Sequence, residues 1–322
     1  MKVFPLLISF GILLFFCISE NNFVTLVKIF PKLNFFYFIC SVFSMVFYWL
    51  CDSAVLSRIF QGTYNSFYDY IKLTMRSQFY NSITPFNSGG QPSQVMRLSK
   101  TGMSAGKAIS KLAQKFFVYQ LCCVAISLFF IMLKSDSFKG KMIGFSFLIT
   151  VGVIMQCAGL LSIILFYLNK ERVMKIVFWA SRFLQKIRLI KNAEKINSKI
   201  ENQLTFLIEN DFSINCGISI FVYSFLQNIF LYSVPFFIAK AFGLSGFPVL
   251  DMLAAQVFIT LISSVSPLPG AAGTAEGGFL LILGDFFVHS DIAPAMILCR
   301  LVNYYLSMIL GFILTFKDFK SI

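Results

Sequence analysis

Apolar residues along this chain fall in long unbroken runs rather than at helical or strand spacing. Five runs carry no charge: Val3–Ser19, Leu33–Cys51, Phe116–Leu133, Met142–Leu168 and Phe212–Ala239. Each holds about 17 to 28 residues, close to the length of a helix that crosses a bilayer. A charge at the centre of such a helix costs about 2.5–3.5 kcal/mol on insertion scales, so charge-free runs mark spans cleanly. A sixth run, Ile292–Phe316, contains a single charge, Arg300. Two further apolar stretches are interrupted. Tyr64–Gln94 contains Lys72, Arg76 and a Pro/Gly-rich end, and Met252–Leu283 is broken at Pro267, Pro269 and several glycines.

Composition makes the same point. Of 322 residues 57% are hydrophobic and 13% charged, against roughly a quarter charged in soluble domains. A soluble enzyme is excluded. The net charge of +13 sits between the apolar runs, so the bilayer and its anionic phospholipids are the expected partners, and no nucleic acid is. Asn169–Gln203 holds nine Lys and Arg against three Glu, and Arg97–Lys115 holds five with no acid. Cytoplasmic loops carry such excesses. With both segments inside, the chain leaves and re-enters one side between Arg58 and Arg97, which makes Tyr64–Gln94 a re-entrant hairpin. The second broken segment can be its counterpart from outside.

The expectation is an all-α polytopic membrane protein with about six full spans plus two re-entrant or broken helical segments. Both termini are cytoplasmic, in keeping with Lys317 and Lys320. The whole of 1–322 is read as one integral membrane domain, with a basic cytoplasmic segment at 169–211. There Val173, Ile176, Val177, Ala180, Phe183 and Leu184 recur at three- and four-residue steps. That spacing fits an amphipathic helix on the anionic leaflet, or one packed on the underside of the bundle. The N-terminal run lacks a cleavage site and is expected to stay as the first span. The eight cysteines show no C-x-x-C spacing, and the one histidine is His289. Neither a metal site nor a cofactor is expected.

One internal echo connects the two interrupted stretches. Ser82-Ile83-Thr84-Pro85 and Ser264-Val265-Ser266-Pro267 share the pattern S-[IV]-[TS]-P, and each leads into small residues, one copy per half. Pairs of broken hydrophobic segments in corresponding places point to two pseudo-symmetric halves around a binding site. Backbone groups freed by proline and glycine are tolerated at membrane depth only inside protein or facing water. A plainer reading is a kink with glycine-mediated helix packing. Glu276 and Arg300 are costly in a bilayer unless paired or hydrated, and are natural partners. A structural ion pair and a substrate-handling pair both remain open.

T-P-F-N-S-G-G-Q-P-S-Q-V at 84–95, L-S-K-T-G-M-S-A-G-K-A at 98–108 and P-L-P-G-A-A-G-T-A-E-G-G-F at 267–279 closely resemble signatures of the lysylphosphatidylglycerol synthase transmembrane family. This is the flippase-like membrane half of the multiple peptide resistance factor. The resemblance runs nearly end to end, through Arg300 and Asn303-Tyr304-Tyr305. It implies a protein of the bacterial cytoplasmic membrane that binds and flips an aminoacylated phospholipid, most simply lysylphosphatidylglycerol, with a role in resistance to cationic antimicrobial peptides. A separate synthase or a second copy of the chain are the other partners it suggests. The family name also carries a phosphatidylglycerol lysyltransferase activity. After Phe316 only six residues follow, so no soluble synthase domain is expected. The transferase itself and a non-transporting scaffold for an envelope enzyme stand as the alternatives.

The lipid path expected from these motifs takes Thr84, Pro85, Ser88, Gly89 and Gly90 from the first break, with Gln91, Gln94 and Arg97 just after it. From the second it takes Pro267, Gly270, Gly273, Glu276, Gly277 and Gly278, and from the last span Arg300 and Asn303. Gly89, Gly90 and Gln91 would offer donors to a phosphate. Glu276 would attract a lysyl ammonium, and Arg300 would hold Glu276 or the phosphate.

Overall fold

The computed structural model describes Lys28 and residues 30–134, 139–168 and 214–319. The Val3–Ser19 run and the basic segment lie outside the described residues. Among those described the structure is entirely helical, with no strand. Among the described residues, four helices are long and apolar enough to cross a membrane: Phe35–Ile59, Ala105–Lys134, Gly217–Ala241 and Ser290–Phe316. The chain is therefore a polytopic helical membrane protein.

Helix α1 (Phe35–Ile59) starts on Asn34, whose side chain accepts the Phe36 N–H at 3.1 Å. Helix α2 (Phe67–Ser82) starts on Ser66 in the same way. These caps satisfy amides that a helix start leaves without partners. A break follows α2, and α3 (Gly90–Lys100) folds back against it. Helices α4 (Ala105–Lys134) and α5 (Lys139–Leu168) complete the first half. The second half repeats the order: α6 (Ile214–Ala241), α7 (Val249–Ser264), a break, and α8 (Thr274–Leu283) folded back on α7. Helix α9 (His289–Arg300) runs through a π turn at Leu301–Tyr305 into α10 (Leu306–Phe319).

Helices α1 and α6 form the central antiparallel pair. Asn34 donates its N–H to Ala241 at 2.8 Å, Ser44 and Ser233 hydroxyls meet at 3.0 Å, and Phe47 stacks on Phe230. Polarity along α1 is inverted relative to a soluble protein. Ser41, Ser44, Asp52 and Ser53 are buried, whereas Phe36 is 68% and Phe43 56% exposed. Apolar side chains outside and hydrogen-bonded polar ones inside suit a hydrocarbon solvent.

Glycines let the hairpins dock on their neighbours. A Cβ on Gly311 of α10 would run into the Met75 carbonyl of α2, and one on Gly152 of α5 into the Leu261 carbonyl of α7. Such small residues allow helix backbones to approach closely. Replacing Gly311 by leucine should force α2 and α10 apart at a cost of about 1–3 kcal/mol. Thermal unfolding of the solubilised protein would register it, and an unchanged transition would deny this contact its role.

Candidate functional site

The two breaks have the same backbone. Thr84 is extended, Pro85 opens a 3-10 turn, and Phe86 and Asn87 take positive φ of 52° and 53°. Leu268 is extended, Pro269 opens a 3-10 turn, and Gly270 and Ala271 take φ of 62° and 53°. Hydrogen bonds match in order. Asn87 and Ser88 N–H donate to Thr84 and Pro85 carbonyls, as Ala271 and Ala272 do to Leu268 and Pro269. Gly89 then caps α3, and Gly273 caps α8.

This corrects the register of the sequence echo. S-[IV]-[TS]-P pairs Pro85 with Pro267, whereas the structure pairs Pro85 with Pro269, two residues on. The link from the end of α7 to its turn is longer than the link from α2 by those residues. Ser266 occupies the extra length, its hydroxyl accepting the Leu268 N–H at 3.3 Å. Pro267 is exposed and starts no turn.

The two tips touch: the turn at Pro85–Asn87 packs against Pro269–Ala271. Tyr304 from the π turn lies between them, donating its hydroxyl to the Ser82 carbonyl at 2.8 Å while its ring covers Gly270. Arg300 stacks over that ring, Cζ 4.6 Å from the centroid, and donates to the Gly270 carbonyl at 3.0 Å. Its Nε sits 2.8 Å from Glu276 Oε1, an approach without hydrogen-bond alignment, so the attraction there is chiefly Coulombic. The other carboxylate oxygen, Oε2, accepts the Gly273 N–H at 2.7 Å. Glu276 stands in the first turn of α8, where a negative charge also meets the favourable end of the helix dipole. A π turn beside a buried charge is a frequent mark of a functional position.

These tips border a cavity of about 930 Å³. Among the expected residues Ser88, Gly90, Gln91, Gln94, Gly270, Arg300 and Asn303 line it. The rest do not. Thr84 braces the first tip, its hydroxyl donating to Tyr80 and accepting the Gly89 N–H at 2.8 Å. Pro85 opens that turn, and Arg97 lies further along α3. Glu276, 1% exposed, is held behind the tip by Arg300 and Gly273. Gly273 is required by its φ of 85° rather than by crowding, since a Cβ there would meet nothing. Gly277 also has open space, and Gly278 packs ordinarily against Ile259.

The cavity adds residues beyond these motifs. Lys115 of α4 pairs with Asp52 of α1 at 2.6 Å. The Asp52 carboxylate also accepts from Gln227 of α6 at 3.2 Å and Thr74 of α2 at 3.0 Å. Gln120, Gln156 and Gln256 line the walls as well. In the sequence Asp52 stands out only as an acid near the depth of the intramembrane Glu276 and Arg300, and Lys115 as one cation of the basic Arg97–Lys115 stretch, so their pairing was missed. Amide side chains inside spans were the available signal.

The family model for the lysylphosphatidylglycerol synthase TM region matches residues 2–311. The chain belongs to this family. Among its curated relatives is a UPF0104 membrane protein of Archaeoglobus fulgidus, 24% identical over 269 residues, which cover 82% of this chain and 80% of that one. No solved structure matches. Family membership agrees with the motifs at both tips, which lie within the matched residues.

Proposed function

We propose that this member of the lysylphosphatidylglycerol synthase TM family binds a phospholipid headgroup in the cavity between the two hairpin tips and moves it across the bilayer. Lysylphosphatidylglycerol, or a related aminoacylated phospholipid, is the favoured substrate. One observation carries the reading: two hairpins of equal backbone meet tip to tip and border a cavity of about 930 Å³, with charged and amide side chains among its apolar lining, inside an apolar bundle. Ligand sites span about 300–1,000 Å³, so a headgroup fits. Irregular backbone at membrane depth belongs where it lines such a cavity. Ser88, Gly90 and Gln91 border it with a helix start, a ready environment for a phosphate. Arg300 adds the cation.

In the same reading the chain is one membrane domain of six spans and two re-entrant hairpins in pseudo-symmetric halves, with both termini in the cytoplasm. Its place is the bacterial cytoplasmic membrane, with the basic 169–211 segment on the anionic leaflet.

The purified chain in liposomes should speed the appearance of labelled lysylphosphatidylglycerol in the opposite leaflet, relative to protein-free liposomes. Rates no faster than those of protein-free liposomes would end the transport reading. Expression in a host without aminoacylated phospholipids should leave its lipids unchanged. New lysylphosphatidylglycerol there would establish the transferase instead.

A further inference from the structure

The headgroup's positive end needs an acceptor, and Glu276 is unsuited because it is buried away from the cavity with both oxygens engaged. Resting on the lipid-binding reading above, we propose that Asp52 and Gln227 form a subsite for a primary ammonium group on the lipid headgroup, occupied in this structure by Lys115.

Three helices prepare the Asp52 carboxylate. Oδ2 accepts from Thr74, and Oδ1 accepts from Gln227 and faces the Lys115 ammonium. Two of these donors are neutral, so Lys115 supplies the charge. Beside it the Gln227 carbonyl oxygen, on a residue 2% exposed, has no hydrogen-bond partner among the described residues. A buried acceptor left unmade is unfavourable, and this one belongs to a residue that lines the cavity with Asp52 and Lys115. An ammonium has three donors and can engage the carboxylate and that oxygen together.

Lys115 is the group able to yield. Its ammonium is a point charge on a flexible four-carbon stem, and its side chain is 15% exposed. When a headgroup ammonium takes Asp52, the released Lys115 meets the headgroup phosphate. One internal ion pair is exchanged for two intermolecular ones, and no buried charge is stranded. A quaternary ammonium, lacking N–H, cannot make this exchange.

The test measures binding of short-chain lipids to the full chain in detergent. Phosphatidylethanolamine and lysylphosphatidylglycerol, which carry primary ammonium groups, should bind about tenfold tighter than phosphatidylcholine of equal chain length. Comparing the first two shows which source of the ammonium fits better. Asp52→Asn should erase the preference over phosphatidylcholine. The double variant Asp52→Asn with Lys115→Met leaves no unpaired buried charge, which protects folding, and should erase it too. Equal binding of phosphatidylcholine and phosphatidylethanolamine by the unaltered chain, or a preference surviving in the double variant, would overturn the subsite. Liposome transport is read separately: ammonium-selective binding without transport would count against translocation alone, and transport without selectivity against the subsite alone.

Discussion

Arg300→Gln is expected to destabilise the protein by about 3–5 kcal/mol, the range for breaking a buried ion pair from one side. The loss is large because Glu276 is 1% exposed and no second cation is shown against it among the described residues. The same change removes the bond to the Gly270 carbonyl and the cation over the Tyr304 ring. Glu276→Gln should cost less, since the stranded guanidinium is 12% exposed and keeps Gly270 and Tyr304. Changing both to glutamine should be milder than the sum by about 1–3 kcal/mol, the coupling of residues in direct contact. Thermal unfolding of the four proteins in one detergent measures this cycle. Strict additivity would mean that the two charges do not stabilise each other. Transport at matched protein levels should fall with both single variants, because the pair fixes the second tip.

Gly270→Ala should be nearly as severe. Its φ of 62° falls in the left-handed region, costing a side chain about 1–2 kcal/mol. The added Cβ would also overlap the Tyr304 ring, and relieving such crowding costs about 1–3 kcal/mol more. If Tyr304 swings away, its bond to Ser82 is lost and the tips lose their cross-link. Gly273→Ala is the control for conformation without crowding, with a φ of 85° and open space; it should cost about 1–3 kcal/mol from strain alone. Gly277→Ala, with neither constraint, should stay within about 0.5 kcal/mol. Unfolding temperatures should follow that order. Equal effects at 270 and 273 would deny the Tyr304 contact any part in holding the tips.

The class of protein and the places where its helices break are both legible in the order of amino acids. Charge-free runs near bilayer length mark spans because hydrocarbon penalises each charge separately, and a linear text records charges faithfully. Thus Leu33–Cys51 falls within the Asn34-capped helix and its immediate surroundings, and Phe116–Leu133 lies inside α4. Proline and glycine clusters located both breaks because they remove donors and permit positive φ locally. Glu276 and Arg300 were legible as partners because two opposite charges in apolar segments have few alternatives.

How distant segments meet is set by helix packing and is visible only in the fold. The echo was visible but out of register, since four matching letters cannot reveal a two-residue extension carried by Ser266. Turn geometry aligned Pro85 with Pro269 instead. Whether a charge faces a cavity or is sealed behind it depends on side-chain packing across helices, so Glu276 and Arg300 read alike along the chain while the fold opens only Arg300 to the cavity. Asp52 and Lys115 lie 2.6 Å apart although one closes a run in α1 and the other opens one in α4. Their meeting, with Gln227 from α6 and Thr74 from α2, arises from helix packing, for which neither local propensity nor periodicity carries a signal.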